Sequence, residues 1–224
     1  MSPIIHDLPR PSEELIARCV EVAQCYSASC VFADVLGRSG VMHSAIKPIF
    51  RCKVVGVALT VRLSTGDLQD PLKAIEVGRA GDVIVVDAGG DTETSVCGGL
   101  MGGLAKNRGI RGMIIDGAGR DIDELRDLQF PIFTRAITAR GTHTMFSGRK
   151  DDLAINVPIT CGGVVVEPGD VIVADEIGVT VVPRARLTEI VKLAAEQAQR
   201  EEATRRRVTG GASIEELLGE FGRI

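Results

Sequence analysis

Aromatic residues are scarce in this chain: they make up 3% of its 224 residues, with no tryptophan and one tyrosine, Tyr26. A core therefore has to come from Val, Ile, Leu and Ala. Little is left for stacking on unpaired bases, which argues against a single-strand nucleic-acid surface. The net charge is −4, and the one basic cluster, Arg205-Arg206-Arg207, stands close to Glu201 and Glu202. It reads as a solvated helix face rather than a phosphate-binding patch. No apolar run approaches the roughly 18 residues of a membrane span, and no basic segment followed by an apolar one marks a signal peptide. The cysteines (Cys19, Cys25, Cys30, Cys52, Cys97, Cys161) include no CxxC pair, and His6, His43 and His143 are scattered. Neither a zinc site nor a disulfide framework is indicated. The expectation is a cytoplasmic protein with reduced, mostly buried thiols that engages neither nucleic acid nor membrane.

What is present is a β/α alternation. Ser12-Glu13-Glu14 caps a helix over Glu13–Cys25, and a short helix is expected near Phe32–Leu36, stopped by Gly37. Val54–Leu63 is β-branched and alternating, a strand. Helical spacing over Asp70–Arg79, a strand at 83–87, a helix from Gly99 to Arg108 ending at Gly109, a strand at 112–116, a helix at 122–128 and a strand at 131–134 follow. Gly163 to Val182 then reads as a meander of three short strands with EPGD and DEIG turns. Its GDVIVAD echoes GDVIVVD at 81–87, as a repeat or by chance. A long helix over Arg184–Val208 carries an apolar stripe at Leu187, Ile190, Val191, Ala194 and Ala198 that continues to Glu201, Arg205 and Val208. A carboxylate on that side needs a partner: Arg205 at i+4, or a group on another subunit. One domain is expected over 1–224, with 184–224 as a C-terminal helical extension.

The segment Gly112–Asp121, GMIIDGAGRD, delivers the Arg120-Asp121 pair to what reads as the C-terminal edge of a sheet. CGGLMGGLAK (Cys97–Lys106) places glycines where a helix should begin, and open amides there can hold a carboxylate or phosphate. Together they suggest one anion-plus-metal pocket. Plainer readings stand beside this one. Asp121-Ile122-Asp123-Glu124 is also a D-x-x-E cap for the next helix. Arg120 could be a surface ion pair, and Gly98, Gly99, Gly102 and Gly103 could merely allow close packing. Asp87 and Asp116 read as turn acceptors, His143 as solvated, and Cys97 and Cys161 as buried small residues rather than nucleophiles.

ADVLGRSGVM (33–42), GDVIVVDAGG, CGGLM, RGMIIDGAGRD, FPIFTR, NVPITCGG and PGDVIVADEIGVTVVP, in that order, resemble the RraA-like family. That family includes the class II 4-hydroxy-4-methyl-2-oxoglutarate / 4-carboxy-4-hydroxy-2-oxoadipate aldolases. The resemblance implies an α/β, swivelling β/β/α fold assembled as a trimeric ring or a pair of rings, trimer or hexamer, with active sites between subunits. It implies that Asp121 binds a divalent metal, Mg²⁺ or Mn²⁺, and that Arg120 binds the 2-oxo acid end of a substrate. By the same resemblance Gly98, Gly99, Leu100 and Met101 hold a substrate carboxylate through backbone amides, and Glu201 is presented across a subunit interface. Gly119 stands where many relatives carry a branched residue and Gly99 where many carry an acid or amide. His143–Ala154 looks longer than the usual connection.

The ribonuclease-inhibitor members of the family lack the aspartate after the arginine, so Asp121 favours the metal-dependent branch. Older methyltransferase labels attach to the family, but VVDAGGD lacks the GxGxxG spacing. The activity implied is cleavage of a 4-hydroxy-2-oxo acid to pyruvate and a second oxo acid, with oxaloacetate decarboxylation as related enolate chemistry. A metal with one direct carboxylate suits this, Arg120 adds a planar two-pronged donor, and with no histidine in the motif the base is a water. The alternative is a non-catalytic, protein-binding trimer like the inhibitors.

Overall fold

The computed structural model describes residues 4–63, 69–142 and 154–222. Apart from Ala154, the connection from His143 onward lies outside them. The described elements are β1 (Ile4–Ile5), α1 (Glu13–Val22), α2 (Ala28–Val35), β2 (Lys47–Pro48), β3 (Val54–Arg62), α3 (Gln69–Val77), β4 (Asp82–Cys97), α4 (Gly99–Asn107), β5 (Gly112–Gly119), α5 (Ile122–Asp127) and β6 (Ile132–Ile137). After them come β7 (Ala154–Ile155), β8 (Ile159–Cys161), β9 (Val164–Val166), β10 (Val171–Ala174), β11 (Val179–Val182), α6 (Leu187–Thr209) and α7 (Ile214–Phe221). The main sheet runs β1-β7-β3-β4-β5-β6-β2, with β10 on β3 and β11 on β10. Strands β3, β4, β5 and β6 are mutually parallel, and helices α3, α4 and α5 connect them.

The near-continuous Val/Ile runs are explained by burial on both faces. Ile84 and Val86 of β4 and Met113 and Ile115 of β5 point to the core under α3, α4 and α5. Their neighbours Val83, Val85 and Ile114 point to a second core beneath the β8–β9 hairpin. A third core joins α1, α2 and α6 to Val55 of β3 and to β10 and β11. Leu187, Ile190, Val191 and Ala194 of α6 are buried there, as the stripe predicted.

Two expectations need correction, and one open alternative is decided. The stretch at 163–182 is not one meander: β10 and β11 form a hairpin, but β9 turns away to pair with β8. Of the three strands in this stretch, β10 and β11 have every residue buried, whereas β9 exposes Val165. The strand expected at 83–87 continues to Cys97, through register shifts after Asp87, Asp91 and Ser95. Gly89 and Gly90, read as its end, have left-handed φ values of 64° and 77° and bend the strand without terminating it. Finally, the two GDVIV sequences are not repeated units. They flank β3 in opposite senses, β4 parallel and β10 antiparallel, and what they share is turn chemistry. Asp82 accepts from Arg79 N–H at 2.8 Å and Asp170 from Glu167 N–H at 2.9 Å, each from three residues upstream.

Asp82 is fully buried and is neutralised by both terminal nitrogens of Arg10, one of them at 2.8 Å. This pair fastens the segment preceding α1 to the start of β4. Burial of Asp170 pushes its carboxyl above the ordinary range against the pull of its two backbone donors.

Candidate active site

The site is built where β4 and β5 end side by side. Cys97 pairs with Gly119, and Arg120 N–H donates to Cys97 O at 2.9 Å, so the residue after each strand is held at a fixed distance from its counterpart. After β4, Gly98 adopts an extended conformation and opens α4 without a side-chain cap. Helix geometry leaves the first amides of α4 without intrahelical acceptors. One of them, Gly99 N–H, donates to Asp121 Oδ2 at 3.2 Å. The same oxygen lies 3.4 Å from Arg120 Nε.

The D-x-x-E cap reading of Asp121 fails. Asp121 precedes α5 with φ 50° and ψ 44°, left-handed, and makes no side-chain cap bond to its own helix. A non-glycine residue pays for that conformation, although Asp tolerates it better than most. The carboxylate thus turns from its own helix to the N-terminus of α4. The same sequence signal in α7, Ser213 to Glu216, does form a reciprocal capping box. At Asp121 the tertiary contact with Gly99 replaces the local one.

The glycines divide by role. A Cβ on Gly98 would come within 2.3 Å of Asp121 Oδ2 and 3.1 Å of both Arg120 Cγ and Nε. On Gly141 it would come within 2.5 Å of an Arg120 terminal nitrogen. Gly98 and Gly141 therefore form a cradle for the Arg120-Asp121 pair. Gly102 is the packing glycine that the plainer reading supposed, since a Cβ there would strike Leu125 at 2.3 Å. Gly141 carries no motif signal of its own, and only the fold brings it to Arg120.

A cleft of about 190 Å³ is lined by Ser95, Val96, Cys97, Gly98, Leu100, Met101, Arg120, Asp121 and Thr142, with Leu72 and Leu104 at its side. The structure thus gathers Gly98, Gly99, Leu100, Met101, Arg120 and Asp121 at one place. Arg120 and Asp121 are nearly half exposed, at 45% and 42%, so both are open to a solute. Cys97 is buried behind them. Burial, and then the Asp121 charge, push its thiol up to about 12 against the opposing pull of Arg120; it is held protonated and is no nucleophile. Cys161 is likewise pushed up by burial. Asp116, read as a turn acceptor, pairs instead with Arg135 and accepts from Gly162 N–H at 2.7 Å. It ties β5 to the β8–β9 hairpin. Asp87 does accept locally, from Gly89 N–H at 3.0 Å.

Glu201 is not brought to this cleft within the chain. It sits on α6 in a separate hollow with Gln24, Cys25, Tyr26, Ala198, Glu202 and Arg205. Gln197, one turn upstream, donates its Nε2–H to Glu201 at 2.7 Å; Arg205, expected as its ion pair, reaches it at 4.0 Å and bonds Glu202 more closely, at 2.7 Å. The Arg205 guanidinium also stacks over the Tyr26 ring at 4.8 Å.

The family model for RraA-like proteins, described as Aldolase/RraA, matches residues 16–181. This chain belongs to the RraA-like family. A protein of Halalkalibacterium halodurans named "Putative 4-hydroxy-4-methyl-2-oxoglutarate aldolase" is 40% identical over 182 residues, 81% of this chain and 84% of that one. Among solved structures, a protein from Pseudomonas syringae pv. tomato superposes with a TM-score of 0.80 at 25% identity, over 96% and 97% of the two chains. Streptomyces coelicolor RraAS2, described as an unusual member of the RNase ES inhibitor RraA protein family, superposes with a TM-score of 0.72 at 30% identity, over 89% and 99%. The swivelling α/β fold with a C-terminal helix is thus the fold of this family. No helix among the described residues is long and apolar enough to cross a membrane.

Proposed function

We propose that the protein is a divalent-metal-dependent lyase, a class II aldolase that cleaves a 4-hydroxy-2-oxo acid to pyruvate and a second oxo acid. The observation that carries the proposal is the departure of the Asp121 carboxylate from its own helix to the open amides of α4, beside Arg120 in an accessible cleft. The aldolase name of the Halalkalibacterium relative supports the substrate class.

The residues fit a hard cation. Asp121 offers an oxygen donor at the surface, and among the described residues no group of three or more His, Cys, Asp or Glu side chains is gathered to make a closed protein cage. One carboxylate with waters completing the shell is the usual arrangement for Mg²⁺, and Mn²⁺ accepts the same donors. Such an ion, when bound, supplies charge stabilisation to the oxygens of a 2-oxo acid. In the reaction the C4 hydroxyl loses its proton, the C3–C4 bond breaks, and its electrons pass to the C2 oxygen as an enolate that is protonated at C3 to give pyruvate. Arg120 binds the 2-oxo acid end by charge-assisted hydrogen bonds, held in aim by Gly98 and Gly141. With the Gly99 N–H given to Asp121, the next amides of α4, at Leu100 and Met101, receive a carboxylate at a helix N-terminus. Oxaloacetate decarboxylation leaves the same enolate and uses the same groups.

We further propose a homo-oligomer, trimer or hexamer, in which Glu201 of one chain approaches the Arg120-Asp121 region of its neighbour. Leu100, 83% exposed beside the cleft, is an apolar surface that a neighbouring subunit would cover. A second reading, a protein-binding regulator without catalysis, draws on the inhibitor family to which the Streptomyces relative belongs. A coupled pyruvate-release assay over 4-hydroxy-2-oxo diacids and oxaloacetate, with and without EDTA, separates the two. Metal-dependent turnover abolished by Asp121→Ala is expected; no turnover with any substrate favours the regulator.

A further inference from the structure

The cleft that holds Arg120 and Asp121 has two kinds of lining. Arg120 is the one cation among the described residues that line it, and Ser95 and Thr142 add only neutral hydroxyls. The rest is apolar. Val96 and Met101 are buried, while Leu72 of α3 and Leu104 of α4 stand beside the cleft with 39% and 53% of their surface open. Neither leucine serves the core: the cluster beneath these two helices takes Ala74 and Ile75 from α3 and Met101 and Ala105 from α4. A single exposed leucine is ordinary. Two of them on different helices, both lining the cleft of the charged pair, make an apolar wall within reach of whatever Arg120 binds. A carboxylate laid against that wall would lose water and meet no cation from the described lining, which is costly.

A 4-hydroxy-2-oxoglutarate brings three groups to such a cleft. Its C1 carboxylate and 2-oxo oxygen go to Arg120 and its C5 carboxylate to the Leu100 and Met101 amides, which uses up the anion-binding groups of the described lining. What is left for the substituent on C4 is the leucine wall. We propose that the protein selects 4-hydroxy-2-oxoglutarates with an alkyl group on C4, ethyl as well as methyl, and rejects those with a further carboxylate there, and that Leu72 and Leu104 determine this specificity. The proposal rests on the lyase reading above and narrows its substrate class. Cleavage of C3–C4 in the ethyl compound gives pyruvate and 2-oxobutanoate: the C4 hydroxyl loses its proton as that carbon becomes the new carbonyl, and C3 gains one.

The test compares kcat/KM of the full-length protein with Mg²⁺ for 4-hydroxy-2-oxoglutarates bearing methyl, ethyl or carboxymethyl on C4, the last being 4-carboxy-4-hydroxy-2-oxoadipate. Rates are read as substrate consumed, because the methyl compound yields two pyruvates. Oxaloacetate decarboxylation, with EDTA and Asp121→Ala as controls, reports separately on the lyase site. Burying a methylene gains about fourfold, and this wall is half open, so the ethyl compound should exceed the methyl about twofold. The carboxymethyl compound should fall about tenfold or more below the methyl. Leu104→Arg should raise the carboxymethyl compound relative to the ethyl by about tenfold, and Leu72→Ser and Leu104→Ser should erase the ethyl advantage, with melting curves as the check on folding. A carboxymethyl compound cleaved as well as the methyl would mean that a cation, from a neighbouring subunit or elsewhere, faces C4, and overturns the proposal. So does an ethyl preference that all three variants leave untouched. Oxaloacetate decarboxylation that needs Asp121, with none of the three glutarates cleaved, overturns the substrate class and leaves the enolate site standing. Absence of metal-dependent turnover with every compound removes the lyase reading and this proposal together.

Discussion

Gly98→Ala is the substitution that separates the site from the scaffold. Gly98 has φ −136° and ψ −171°, extended backbone that alanine adopts freely, so the chain itself has no reason to change course. On entropy alone, glycine to alanine at a compatible position stabilises by about 0.4–1 kcal/mol. The new methyl, however, would lie 2.3 Å from Asp121 Oδ2, and the side chain that must yield is the one bonded to Gly99 N–H. A hydrogen bond to a charged group is worth about 1.5–3 kcal/mol. This one is partly open to water, which takes over some of it, so the lower end applies. The two effects nearly offset each other, and with a melting shift of about 2–4 °C per kcal/mol for a chain of this size, Tm should stay within about 5 °C of wild type. Function should not be spared. Both Arg120 and Asp121 are displaced on the ångström scale, and a misplacement of about 1 Å costs on the order of 10² in rate. The measurements are pyruvate release at saturating Mg²⁺ and a melting curve on the same preparation. A variant that melts like wild type and turns over like wild type would mean that the carboxylate's position against α4 is immaterial, which would refute the site described here.

Arg120→Lys should lose most activity despite keeping its charge, because an ammonium cannot reproduce the planar fork; unchanged kinetics would remove Arg120 from substrate binding. Inactive Asp121→Ala and Glu201→Gln chains, co-refolded, should recover part of the activity if sites are shared between subunits, and a fully active Glu201→Gln protein would rule that out. Arg10→Ala should destabilise by about 3 kcal/mol, since it leaves the fully buried Asp82 without its cation; a urea midpoint equal to wild type would show that Arg10 does not neutralise it. Burial pushes the thiols of Cys19, Cys52 and Cys97 up to about 12. The unfolded chain releases those protons near pH 9 and the folded chain does not, so between about pH 9 and 12 the native state holds more protons and stability falls as pH rises. Urea midpoints over that range should fall less steeply in Cys97→Ala; an unchanged slope would show that Cys97 is not held protonated.

The strands and the two motifs were legible from the residues because local rules and tertiary demand agree there. Runs such as Val83–Val86 and Met113–Ile115 have to be buried on both faces, and a glycine-opened helix leaves free amides wherever it occurs. Asp121 was legible only as a conflict between a cap and a ligand, and the cap is removed by a left-handed backbone, φ 50°, that sequence patterning does not encode. Gly141 was invisible because its role depends on where Arg120 points across the sheet. Glu124 was legible only as part of the same capping signal, whereas its side chain lies against Gly99 of α4, where a Cβ would come within 1.8 Å of its Oε2. Glu201 was placed on the inner side of α6 by periodicity and its ion pair with Arg205 is present at 4.0 Å, but the closer bonds, Gln197 to Glu201 and Arg205 to Glu202, were not legible.

The long strand β4 has a consequence for how such proteins can diverge. Residues 87–97 of β4 run beside residues 116–119 of β5, and the surplus is taken up at three register shifts before Cys97 meets Gly119. Slack is stored upstream, and the last pairing is re-established after it. A change of length at Gly89-Gly90 would therefore be absorbed before Cys97 meets Gly119, leaving Gly98 at its station. Such a stretch can take insertions as a surface loop does, while the end of the strand keeps its neighbours.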